Sequence, residues 1–168
     1  MKISPLLIIT FFLVLACKEE PDTPRNYTLT TEVVPEDGGS ISPREGEYEE
    51  NTTLDLYATP NDDYVFSKWS GSLSGTSNPA SLQMTGSKNV KAEFVKKQYA
   101  LTIIIEGEGT IEESMKDLQE AYESGAVVTL SANPAEGWEF KEWIGDASGN
   151  VNPIELTMSD AKTVKAVF

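Results

Sequence analysis

"LDLYATPNDDYVFSKWSGSLSGTSNPASLQMTGSKNVKAEF" (residues 54–94) lies without a gap on "VTLSANPAEGWEFKEWIGDASGNVNPIELTMSDAKTVKAVF" (residues 128–168) when the chain is shifted by 74 positions. About seventeen of the forty-one positions are identical, far more than unrelated segments share. Leu56 meets Leu130, Pro60 meets Pro134, Phe66 meets Phe140 and Trp69 meets Trp143. Gly71 meets Gly145, Asn78-Pro79 meets Asn152-Pro153, Met84 meets Met158 and Phe94 meets Phe168. Upstream, Tyr27 and Leu29 answer to Tyr99 and Leu101, and Gly39-Ser40-Ile41 answers to Gly109-Thr110-Ile111. The chain is therefore a tandem repeat, with one unit at residues 27–94, a joint at 95–98 and a second unit at 99–168.

Within each unit the apolar period is two, the mark of a strand with one buried and one wet face. Tyr27, Leu29, Thr31 and Val33 alternate with polar residues, as do Leu54, Leu56 and Ala58. Val90, Ala92 and Phe94 alternate with Lys91 and Glu93. Pro60 and Pro134 end strands by withholding a ladder donor, and Gly38-Gly39 and Gly107/Gly109 suit tight turns. The pattern predicts a mainly β fold of two small antiparallel sheet units with about five short strands each. Two features of the second unit stand apart. The run Leu101 to Ile105 is apolar on both faces, which predicts a strand covered on both sides, by the neighbouring unit or by an added helix. The helix is predicted at residues 114–124, where Met115, Leu118 and Tyr122 fall at helical spacing, Ser114 and Asp117 form a capping box and Gly125 supplies a stop.

The chain begins with Met1 and Lys2, then an apolar run from Ile3 to Ala16 interrupted by Ser4, Pro5 and Thr10. Such a run is short for a permanent membrane span and reads as a secretory leader, residues 1–16. Ala16 followed by Cys17, the single cysteine, resembles the lipobox of bacterial lipoproteins. That resemblance implies cleavage before Cys17 and acylation there, and buried acyl chains contribute about 0.8 kcal/mol per methylene to membrane binding. Lys18, Glu19 and Glu20 resemble the export signal of Bacteroidota lipoproteins, which implies the outer membrane and its exterior face. Residues 17–26 then form the lipidated cysteine and a polar, proline-dotted tether of roughly 30 Å reach when extended.

Composition excludes several classes of function. The chain holds 13 basic and 27 acidic residues, a formal charge of −14, which becomes −15 when Lys2 leaves with the leader. So acidic a surface repels phosphate backbones, and nucleic acid is not an expected partner. Absence of histidine removes the commonest general base and metal ligand, and Cys17 is committed to lipid, so no thiolate nucleophile or metal site is expected. No cofactor, metal or catalytic residue is assigned.

The order "YTLT", "GGSISP", "LYATP", "YVFSKWSG", "SNP" and "VKAEF", present twice with variations, resembles the divergent internalin B-type repeat, also called the bacterial repeat domain. The resemblance covers nearly all of the chain after the tether. It implies a β-grasp-like, internalin B repeat-like unit and an adhesive, ligand-binding or spacer role in a surface or secreted protein, without a catalytic motif. The expected partners are the membrane, through Cys17, and a protein or glycan at the cell surface. A structural spacer or accessory subunit of an envelope complex is the alternative, and a carbohydrate-binding accessory protein a further one.

Three groups of residues bear on a ligand. Trp69 and Trp143, in register with Phe66 and Phe140, read as core, whereas Tyr64 and Trp138 follow turns and are the aromatics expected to face a ligand. Asn61-Asp62-Asp63 and Asp146 to Asn150 offer oxygen ligands for calcium, but turn chemistry accounts for the same residues. Glu112/Glu113 and Glu47/Glu49/Glu50 are acid pairs of the kind that glycosidases use, and are also what an acidic composition produces.

Overall fold

The computed structural model describes residues 23–114 and 121–168. The leader, Cys17, the export signal Lys18, Glu19 and Glu20, and residues 115–120 of the expected helix lie outside the described residues.

The first unit contains β1 (Asn26–Val34), β2 (Gly39–Ser42), β3 (Gly46–Glu49), β4 (Thr53–Pro60), β5 (Tyr64–Gly71), β6 (Ala80–Gln83) and β7 (Lys88–Lys96). The second contains β8 (Gln98–Tyr99), β9 (Leu101–Glu106), β10 (Gly109–Glu113), β11 (Tyr122–Glu123), β12 (Val127–Pro134), β13 (Glu142–Gly145), β14 (Ile154–Thr157) and β15 (Lys162–Val167). In the first unit the sheet β3-β1-β7-β5 faces the sheet β2-β4-β6 across a shared core. In the second, β13-β15-β9 and β10-β12-β14 repeat this plan, and the small pair β11-β8 occupies the place of β3-β1. The strands are shorter and more numerous than five per unit, because glycine and proline divide the expected runs.

Pairing is antiparallel with one exception in each unit. First and last strands run parallel, β1 with β7 over Leu29↔Lys88 to Val34↔Glu93, and β9 with β15 over Leu101↔Lys162 to Glu106↔Val167. Alternation alone does not distinguish the two senses; the sense follows from the long path that separates the first strand of a unit from its last.

The two cores are near copies. Leu29, Leu56, Met84 and Val90 are fully buried around Trp69, as are Leu130, Met158 and Val164 around Trp143. Phe66 lies 5.1 Å from Trp69 and 5.8 Å edge-on from Phe94; Phe140 lies 5.0 Å from Trp143 and 6.0 Å from Phe168. Both indoles are 1% exposed, so each removes enough apolar area from water to contribute on the order of 4–6 kcal/mol. Each indole N–H is satisfied within its unit: Trp69 Nε1 donates to Ser77 O at 2.8 Å and Trp143 Nε1 to Val151 O at 2.9 Å. Gly71 and Gly145 close the tryptophan strands at φ +88° and +105°, and a Cβ there would sit 2.5 Å from Asn89 O or 2.4 Å from Thr163 O. Only glycine tolerates both the conformation and the approach.

Two expectations for the second unit need correction. The outer face of β9 is uncovered among the described residues: Ile104, which shares it with the exposed Thr102, is 44% exposed, and Ile105, on the core-facing side near the end of the strand, is itself 45% exposed. In the expected helix, Ser114 is a bend and Tyr122–Glu123 form a strand paired with Tyr99 and Gln98. Strand pairing prevails there because Tyr122 fills the site that Tyr48 holds opposite Tyr27 in the first unit.

The units meet through hydrogen bonds. Lys97 N donates to Asp63 O at 2.8 Å, Ser124 N donates to Lys97 O at 2.8 Å, and Ser124 Oγ donates to Asp63 Oδ1 at 2.7 Å. Chain continuity from β7 into β8 thus comes with a stitched joint between Asp63 and Ser124.

Candidate functional site

Trp138 and Tyr64 occupy equivalent places after equivalent turns. Trp138 N donates to Ala135 O at 3.0 Å, as Tyr64 N does to Asn61 O at 3.0 Å. Their surroundings then diverge. In the first unit β7 runs on past Phe94, so that Val95 and Lys96 pair with Val65 and Tyr64 and help cover the phenol ring, which is 8% exposed. In the second, β15 ends at Val167 and β13 begins only at Glu142, leaving residues 138–141 outside any strand. Trp138 is 45% exposed and shares an open groove with Gly137, Glu139, Phe140, Lys141 and Phe168. Its indole rests against Gly107, where a Cβ would come within 3.0 Å of the ring. The expectation of surface exposure therefore fails for Tyr64, whose hydroxyl donates to Asp37 Oδ2 at 2.9 Å, while the Trp138 ring is accessible.

Titratable groups with displaced equilibria serve the folds of the units. The hydrogen bond to Asp37, followed by burial, raises the Tyr64 phenol above its ordinary value. Burial, reinforced by the hydrogen bond to Glu113, pushes Tyr122 up to about 12. The Glu93 carboxyl is lowered chiefly by the Ser70 hydroxyl, at 2.6 Å, with Lys68 assisting at 3.3 Å. Asp160 is lowered and Lys162 raised by their mutual hydrogen bond.

The other candidate residues are dispersed. Glu112 and Glu113 are consecutive on β10 and point to opposite faces, and Glu113 is engaged by Tyr122. Glu47 and Glu49 stand exposed on β3, with Glu50 just beyond. Asn61 donates from Nδ2 to Asp37 O at 2.8 Å, and Asp146 Oδ2 accepts from Thr163 N at 2.6 Å, so both segments do turn work. Among the described residues no group of three or more acidic, histidine or cysteine side chains is arranged to hold a metal ion.

Comparison with known families finds two tandem matches to the divergent InlB B-repeat domain, at residues 29–98 and 99–168. The chain belongs to that family. No curated protein and no solved structure matches it. As an InlB B-repeat protein it is of a class that points to a non-catalytic module of surface or adhesive type.

Sequence reasoning passed over the function of one repeated pair, Asn78 and Asn152, in the InlB B-repeat architecture. Asn78 Oδ1 accepts from Ala58 N at 2.9 Å while its Nδ2 donates to Ala58 O at 2.6 Å. Asn152 treats Ala132 identically, at 2.9 and 2.8 Å. Each amide imitates one residue of a neighbouring strand and closes a ladder position that would otherwise be open. The repeated Asn-Pro dipeptide was the available signal; a turn reading accounts for the proline and leaves the asparagine amide unassigned.

Proposed function

We propose that this chain is a non-catalytic lipoprotein of the cell surface, held at the outer membrane by acyl chains on Cys17, whose two repeats serve adhesion or ligand binding. The observation that carries the reading is the order of the chain: a leader, Ala16-Cys17, the Lys18-Glu19-Glu20 run and a polar tether, directly followed by two InlB B-repeats. Ligands of the expected class are a surface protein or a glycan, and the Trp138 groove is the accessible aromatic site, offering a flat indole beside Glu139 and Lys141. A second reading, a spacer or accessory subunit of an envelope complex, is favoured by the stitched Asp63–Lys97–Ser124 joint, which suits a stiff connection.

Two measurements test this. Cys17→Ser is expected to release the protein from the membrane fraction or leave an uncleaved precursor, whereas alanine at Lys18, Glu19 and Glu20 preserves lipidation and reduces protease shaving of whole cells. A Cys17→Ser protein that still floats with membranes at normal mature mass refutes the anchor. Screening the repeats against glycan arrays and envelope extracts, with Trp138→Ala as control, separates adhesion from spacing. Capture that survives Trp138→Ala unchanged removes the groove from the ligand site.

A further inference from the structure

A second aromatic ring stands open on the surface, in the middle of a sheet. Tyr57 lies on β4, the central strand of β2-β4-β6, and is 50% exposed. Its neighbours Leu56 and Ala58 are buried, so alternation turns Tyr57 outward together with Thr53, Asp55 and Thr59, all of them exposed. On β2, Ser42 stands directly opposite Tyr57 and Ser40 opposite Thr59; on β6, Ser81 stands opposite Asp55 and Gln83 opposite Thr53. These flanking side chains are exposed as well. The span from Thr53 to Thr59 gives a face roughly 20 Å long, with the phenol ring set among hydroxyls and one amide.

We infer that this face binds an extended, uncharged polysaccharide; the inference rests on the ligand-binding reading proposed above and gives it a site and a ligand class. Charge decides the class. Charged residues make up 24% of the chain and its net charge is −14, yet Asp55 is the single charged side chain on this face. The other sheet of the same unit carries the solvent-accessible ion pairs Lys91–Glu32 and Lys68–Glu93. A charged partner therefore finds its complement elsewhere on the unit, and a protein hot spot needs a larger apolar centre than one ring. A sugar chain needs what is here: an aromatic plane for the C–H face of a ring, hydroxyl and amide partners on both sides for its own hydroxyls, and a flat surface along which a polymer can lie.

The second unit repeats this sheet as β10-β12-β14 without repeating its chemistry. There Ser131 stands in the place of Tyr57, Val127 in that of Thr53 and Glu155 in that of Ser81, and the residue opposite Ser131 is Glu112 where Ser42 faces Tyr57. The fold thus has no need of an aromatic at this position, and a ring on the wet face of the sheet adds nothing to the core. Asp55 suits the same ligand: its Oδ1 accepts from Ser81 Oγ at 2.6 Å, which leaves Oδ2 to accept from a sugar hydroxyl. Binding of one sugar ring is weak, because water competes for each hydrogen bond, and a repeating polymer that meets many copies on one surface gains by multivalency.

The test runs the chain from Lys18 onward, which keeps every described residue, through native gels cast with a neutral polysaccharide (a β-glucan, a mannan or a galactomannan) or with an acidic one, polygalacturonate. At least one neutral polymer is expected to retard the protein, and polygalacturonate is not. Tyr57→Ser installs the residue that the second unit already carries at this place, and is expected to weaken the retardation roughly tenfold in apparent affinity. Tyr57→Phe, which keeps the ring, is expected to retain most of the effect, and Ser131→Ala, the matched change in the second unit, all of it. A short oligosaccharide of the retarding polymer is expected to shift the backbone amide resonances of residues 53–59, Ser42 and Ser81. Retardation that Tyr57→Ser leaves intact, or resonance shifts confined to other surfaces, overturns the site, while the ligand-binding reading survives on a glycan held elsewhere. Retardation by none of the neutral polymers, or by polygalacturonate alone, overturns the uncharged polysaccharide as ligand, and capture from envelope extracts then decides separately whether adhesion rests on a protein.

Discussion

Replacing Asn78 by aspartate changes one atom and tests whether the amide holds the first unit together. In the native protein the side chain both accepts from and donates to Ala58, at 2.9 and 2.6 Å, and Ala58 is 4% exposed. Aspartate keeps the acceptor for Ala58 N–H, loses the donor and sets a carboxylate oxygen against the Ala58 carbonyl. One lost hydrogen bond is worth about 1 kcal/mol, and leaving a buried carbonyl unpaired adds about 1–3 kcal/mol, so about 2–4 kcal/mol of destabilisation is expected at pH 7. Its pH dependence distinguishes this mechanism from a packing defect. Repulsion raises the new carboxyl's pKa in the folded state above its ordinary value of about 3.9, and a raised folded pKa gives stability that is present below that value and lost as pH rises through the folded pKa. Near pH 4 the protonated acid donates to Ala58 O, and the penalty is expected to shrink by about half. Urea melts of Asn78→Asp and the native protein from pH 4 to pH 8, followed by tryptophan fluorescence, read the difference directly. A penalty under 1 kcal/mol at pH 7, or one that does not change with pH, refutes the reasoning. Asn152→Asp is expected to repeat the result in the second unit.

Trp69→Ala and Trp143→Ala are each expected to cost about 3–5 kcal/mol, while Trp138→Ala costs under about 1 kcal/mol; denaturant midpoints decide it. Tyr122, at about 12 against an ordinary 10.0, favours folding while neutral, so stability is full below pH 10 and lost between pH 10 and about 12. Tyr122→Phe is expected to remove that part of the alkaline transition, as seen in stability measured against pH by circular dichroism. Ser124→Ala, which breaks the bond to Asp63, is expected to cost about 1 kcal/mol and to separate a single thermal transition towards two in calorimetry. Ile104→Thr, on the open face of β9, is expected to stay within about 0.5 kcal/mol of the native protein, where burial of that face would make it far more costly.

The duplication, the strand period and the tryptophan cores were legible because they depend on local spacing, and the second copy served as a control on the first. Tyr64 and Trp138 were not separable in that way: they share a turn and a position, and their exposure is decided by residues about thirty positions further along. Ile104 and Ile105 look buried by hydropathy, and only the tertiary arrangement leaves them uncovered. Tyr122 lies at helical spacing from Leu118 and Met115, yet the 74-residue shift also sets Tyr122–Glu123 on Tyr48–Glu49, a strand signal within reach that the helical period outweighed. The parallel sense of β1 with β7 has no local signature at all, since it relates residues some sixty positions apart.

That parallel pair determines how a repeat carries tension. A pull applied at the start of β1 and the end of β7 acts on two neighbouring strands that point the same way, so the load runs along the strands and falls across the six register pairs from Leu29↔Lys88 to Val34↔Glu93 together. β9 and β15 share load in the same manner over Leu101↔Lys162 to Glu106↔Val167. An antiparallel pair pulled from one end opens one bond at a time; here the bonds must slide and break collectively. A tethered protein pulled away from its anchor would thus meet its greatest mechanical resistance along the line that joins the two ends of each repeat.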